Sequence, residues 1–146
     1  MVIRFALIFG IIYTLIGILG FVPGLVTMPE MEAGMTDELA ADMSHGRLLG
    51  LFPVNLWHNL VHLAVGIWGI VASKQGFDAS VTYARANAVI FAVLAILGLI
   101  PATNTLFGLA PLYGHDIWLH ALSAIAAGYF GFGPPGRRKS DVSYTR

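Results

Sequence analysis

Four times along this chain an apolar run approaches the roughly 20 residues that a helix needs to cross a hydrocarbon core. The runs cover about 5–22, 53–72, 86–100 and 117–132 of 146 residues. Only 11% of the side chains are charged, against about 25% in an ordinary soluble domain. Four crossings leave no length for a soluble domain. The expected architecture is therefore all-α, an integral membrane four-helix bundle over 1–133, with a loop over about 27–46 and a basic tail over 134–146.

The first run follows Arg4, as a signal peptide would, but no small-x-small cleavage site comes after it. Its uncharged stretch continues to Pro29, too long for a signal h-region, so it reads as a retained helix. Charge then sets the orientation. Arg4, Lys74, Arg85, Arg137, Arg138, Lys139 and Arg146, seven of the eight basic residues, fall on one side of the four crossings, and Arg47 alone on the other. The side with Arg47 also holds Asp116 and five acidic residues of the 27–46 loop. The positive-inside rule places both termini in the cytoplasm. With no cysteine in the chain, disulfides, thiolate ligands and Cys-based catalysis are excluded.

The chain also repeats itself. Leu19-Gly20-x-x-Pro23 aligns with Leu97-Gly98-x-x-Pro101 at an offset of 78. "GLFPVNLWHNLVH" from Gly50 aligns with "GLAPLYGHDIWLH" from Gly108 at an offset of 58. These registers describe two helical hairpins in tandem, with His62 equivalent to His120. Because each hairpin crosses twice, the halves insert in the same orientation, which implies a pseudo-two-fold axis along the membrane normal.

At 100° per residue, Asn55, His58, Asn59, His62, Gly66 and Gly69 share one face of the second helix. Hydrocarbon offers polar groups no partners and glycines permit close approach, so this seam should face inward. Asp116, His120, Ser123 and Ala127 form the matching seam of the fourth helix. Gly10, Tyr13, Thr14 and Gly17 form that of the first, and Asn87, Phe91, Leu94 and Gly98 that of the third. Arg85 and Asn87 read as interfacial, at the cytoplasmic end.

His58 and His62, with Asp116 and His120, offer three imidazoles and a carboxylate from two helices. That set suits tetrahedral zinc, or a related copper or iron site. His62 and His120 alone could instead be the axial ligands of haem b, with Gly66 and Ala124 leaving room for a flat macrocycle. A His-ligated chlorophyll is a third option. The structural alternative is that these histidines, with Asn55, Asn59 and Ser123, are interhelical hydrogen-bond partners, and a tandem duplication would copy such ties.

His45 and His115 read as wetted residues at the outer boundary. Trp57, Trp118, Tyr113 and Tyr129 fit an interfacial aromatic pattern. The tail "GPPGRRKSDVSYTR" suits anionic lipid headgroups and calls for no nucleic acid. No phosphate loop, Ser-His-Asp spacing or H-E-x-x-H is present, which argues against hydrolytic and nucleotide-driven enzymes.

"HNLVHLAVGIWG" and the downstream "DIWLH" resemble the small bacterial four-helix membrane proteins of domain-of-unknown-function family 4383. His58, Asn59, Val61, His62, Leu63, Gly66 and Gly69 match that family's second-helix pattern, and Trp118, Leu119 and His120 its fourth-helix pattern. The resemblance implies a bacterial plasma membrane, a four-helix topology and a focus on His58, His62 and His120, without implying a reaction. Two functions are expected from these residues: a metal or haem binding protein, or a non-catalytic accessory subunit of a respiratory or photosynthetic complex. Partners would be lipid, other membrane subunits or further copies of the chain. A transporter is the weaker third, because the polar seam turns to glycine and alanine halfway along.

Overall fold

A computed structural model describes residues 1–28 and 46–137. Most of the acidic loop, with His45, and the tail from 138 onward lie outside the described residues. Among the described residues four α-helices form: α1 Val2–Leu19, α2 Leu56–Gln75, α3 Phe77–Leu99 and α4 His115–Phe132. Three short strands, β1 Val26–Thr27, β2 Gly46–Leu48 and β3 Phe52–Val54, make an antiparallel sheet in the order β1-β2-β3. Arg47 pairs with Thr27 on one side and Pro53 on the other.

α1 lies along α2 and α3 along α4, while α3 also touches α2 and α1. α1 and α4 touch only lightly. Phe5 stacks on Phe130 with centroids 4.6 Å apart, so the start of α1 and the end of α4 share one end of the molecule. The sheet lies at the other end.

Small residues set the α1–α2 distance. A β-carbon at Gly10 would stand 2.7 Å from the Ile70 backbone nitrogen, and one at Gly69 would stand 2.8 Å from the Ala6 carbonyl. Only a bare α-carbon permits that approach. Tyr13, Tyr83 and Phe91 fill the space between the helix pairs, each buried. Leu7, Ile8, Ile11, Val89, Val93, Leu122 and Ile125 point outward. An exposed apolar surface on every helix suits lipid and not water.

α1, α2 and α3 are each long and apolar enough to cross a membrane. α4, with 18 residues, falls short of that mark, because His115, Asp116 and His120 occupy its first two turns. Its remaining turns are apolar or small.

One feature differs from the sequence expectation. α3 begins at Phe77 and not near 86, because a single residue, Gly76, joins it to α2. Gly76 has φ +105°, a conformation that side-chain-bearing residues rarely adopt, and it lets the chain reverse within one residue. Asp78 then sits in the first turn of α3, where free N–H groups favour a carboxylate. Asn87 is fully buried on the expected inward face of α3, its Nδ2 donating to the Tyr83 carbonyl at 2.8 Å. Arg85 does lie at the surface. Its Nε donates to the Gly131 carbonyl at 2.9 Å, and its guanidinium lies 5.4 Å from the Phe132 ring centroid, fastening α3 to the end of α4.

Candidate functional site

Asn55 starts α2. Its side chain accepts from the His58 backbone N–H at 2.9 Å, while its Nδ2 donates to the Leu109 carbonyl at 2.9 Å. The cap therefore also ties α2 to the segment before α4. With the helix phase fixed this way, His58 and His62 point inward one turn apart, 5% and 3% exposed. α4 begins after Gly114 and turns Asp116 and His120 inward at the same spacing, 0% and 2% exposed.

These four side chains meet near the sheet end. His58 Nδ1 lies 3.5 Å from Asp116 Oδ2, longer than a good N–H···O bond. The His58 and His62 rings stand edge to face with centroids 4.2 Å apart. His62 and His120 each have an aromatic wall from a neighbouring helix. Tyr13 of α1 stands edge-on to His62 at 5.1 Å, and Phe91 of α3 stacks on His120 at 5.5 Å. The Tyr13 hydroxyl and Ser123 Oγ share a hydrogen bond of 2.6 Å, which ties α1 to α4.

Several buried polar atoms at this centre have no hydrogen-bond partner among the described residues: Nδ1 of His62, Nδ1 of His120 and both carboxylate oxygens of Asp116. A buried polar atom left unpaired costs on the order of 1–3 kcal/mol, so a cluster of them marks a place where something else is held. Two apolar cavities border it. One, of about 130 Å³, lies between α1, the sheet and α4, and reaches His58, His62 and Asp116. The other, of about 60 Å³, lies between α2, α3 and the segment before α4, and reaches His58, His62 and His120.

The expected seam residues thus come together, with different parts to play. Asn59 donates from Nδ2 to the Gly20 carbonyl at 2.8 Å, closing the α1–α2 contact. Gly66 packs against Thr14 of α1, so the room expected beside it for a macrocycle is occupied. Ser123 serves Tyr13. His115 is exposed, with its ring 6.1 Å from that of Phe52, and stays outside the cluster. Trp57 and Trp118 also face outward. As oriented, no three His, Asp or Glu side chains among the described residues stand around one point at metal-ligand spacing.

The aromatic walls were the part sequence reasoning missed. Tyr13 and Phe91 sit on the expected seams, 78 residues apart, the offset that also aligns Leu19-Gly20 with Leu97-Gly98. That offset was the available signal.

Such a fold and centre define a class: an apolar helical protein of four packed helices with a buried His and Asp cluster near one end. A family model described as "Domain of unknown function (DUF4383)" matches residues 4–133, and the chain belongs to that family. No curated protein and no solved structure matches it.

Proposed function

We propose that this is a four-span membrane protein, both termini cytoplasmic, that holds one divalent transition-metal ion at His58, His62, His120 and Asp116. The observation that carries the reading is a set of buried atoms without hydrogen bonds among the described residues, Nδ1 of His62, Nδ1 of His120 and the Asp116 carboxyl oxygens, drawn from two helices, with the His58 ring 3.5 Å from Asp116 Oδ2. Imidazole and carboxylate donors suit zinc, and imidazole also suits copper. His62 and His120 are the ligands assigned first, with Asp116 supplying charge and His58 lying between them. Since the side chains do not converge as oriented, ligation requires the imidazoles to rotate, and the two adjoining cavities give them space.

Haem and chlorophyll have less support. Sites for ligands well short of porphyrin size already run to about 300 Å³ or more, whereas the cavities here are about 60 and 130 Å³.

Burial supports the tandem repeat. The inward positions of α1, among them Val2, Phe5, Ala6, Gly10, Tyr13 and Gly17, recur 78 residues later in α3. His58, His62, Val65 and Gly69 of α2 recur 58 residues later in α4. Leu49 and Gly50, both with positive φ, are matched by Phe107 and Gly108.

A second reading keeps the protein as a non-catalytic accessory subunit whose histidines only tie helices together. The Tyr13–Ser123 bond and the His58–Asp116 contact favour it. Cobalt(II) titration of the detergent-purified chain separates the two. A metal site gives saturable visible absorption at one equivalent, and a purely structural cluster gives none. Co-purification of a metal-free chain with a large membrane complex supports the accessory reading.

A further inference from the structure

The two cavities beside the His and Asp centre are copies of one another. Seven of the ten residues around the 130 Å³ cavity have their register-mates around the 60 Å³ cavity. Ile16, His62 and Leu119 of the larger stand where Leu94, His120 and Val61 stand in the smaller. The two have since diverged. Asp116 lines only the larger while His58 lines both, and only the larger approaches the about 150 Å³ known to admit a single six-membered ring.

We infer that the larger cavity binds a membrane-dissolved molecule of the quinone or quinol class, its ring lodged against His62 and Asp116 and its tail lying between α1 and α4. Three observations carry this beyond the metal reading, on which it does not depend. The walls are apolar, formed by Ile16, Leu19, Leu48, Phe52, Val54 and Leu119, so a ring loses water at no polar cost. The floor is polar and short of hydrogen bonds. Nδ1 of His62 and Oδ1 of Asp116 have none among the described residues, and Asp116 Oδ2 has only the 3.5 Å contact with His58, so a ring oxygen, whether carbonyl or hydroxyl, meets an imidazole that can donate or a carboxyl group that can accept. The route is lateral. Beyond the Tyr13–Ser123 bond and the Phe5–Phe130 stack, α1 and α4 touch only lightly, and Ile12 of α1 and Leu122 of α4 are exposed and apolar.

A decyl-benzoquinone titration of the full chain in chelator-washed nanodiscs tests this, with empty discs as the reference. Expected is saturable uptake above the empty discs, reaching one per chain. Leu119→Trp, which fills the larger cavity from its wall, should weaken uptake at least tenfold. Val61→Trp at the register-mate should leave it unchanged. Thermal unfolding identifies any variant that fails to fold, in which case the smaller Leu119→Phe takes its place. Uptake no greater than that of empty discs, or equal in the wild type and a folded Leu119 variant, overturns the inference. Because the discs carry no metal, neither result bears on metal binding.

Discussion

Tyr13 and Phe91 pack against each other with ring centroids 5.1 Å apart, and they are the two positions that the 78-residue offset makes equivalent. Each ring also flanks the histidine of its own hairpin, Tyr13 beside His62 and Phe91 beside His120. The centre is therefore organised about that contact. The halves differ where polarity differs: Tyr13 carries a hydroxyl bonded to Ser123, whereas Phe91 has none and the mate of Ser123 is Val65.

That difference is measurable. A double-mutant cycle of Tyr13→Phe and Ser123→Ala, read by reversible unfolding in mixed micelles, should return a coupling of about 0.6–1.7 kcal/mol, the range of interhelical hydrogen bonds in membrane proteins. Zero coupling would mean that the 2.6 Å bond is not formed in the bilayer protein.

Close helix approach makes a sharper prediction from two glycines. Gly10→Ala places a β-carbon 2.7 Å from the Ile70 nitrogen, a backbone atom with nowhere to go, so it should destabilise by about 1–3 kcal/mol. Gly128→Ala meets nothing nearer than Ala88 at 3.9 Å and should be neutral or stabilising by up to about 1 kcal/mol. Equal effects in thermal unfolding would contradict the α1–α2 packing described here.

Arg85 should matter through its geometry as well as its charge. Arg85→Ala loses the bond to the Gly131 carbonyl and the contact with Phe132, at a cost of about 1–2 kcal/mol. Arg85→Lys keeps the charge but not the planar donor, and should recover less than half of that in the same unfolding assay. Full recovery by lysine would reduce Arg85 to a surface cation.

The inward faces of α1, α2 and α4 were legible because their polar and small residues recur at helical spacing, and the structure buries His58, His62, Asp116 and His120 together. The start of α3 was not. Asp78 and Arg85 lower the local hydropathy, so a membrane-length window begins too late, and the one-residue reversal at Gly76 leaves no loop to mark the boundary. The sheet escaped notice because its strands are two or three residues long, too short for alternation to register. The amide bond of Asn87 back to its own helix left no signal in its sequence neighbourhood.

Asp116→Asn tests the carboxyl group of the centre. It keeps the side-chain shape but puts an amide, a poor metal ligand, beside His58, so the fold should persist while affinity for cobalt(II) falls about 10–100-fold. Unchanged affinity would take Asp116 out of the site.

The most direct test is the metal content of the purified, zinc-loaded and dialysed chain, wild type beside His62→Ala and His120→Ala. One zinc per chain in the wild type, lost in both variants while helical content is kept, is the expected result. A wild type that retains no stoichiometric metal, or variants that retain all of it, would contradict the assignment of His62 and His120 as ligands.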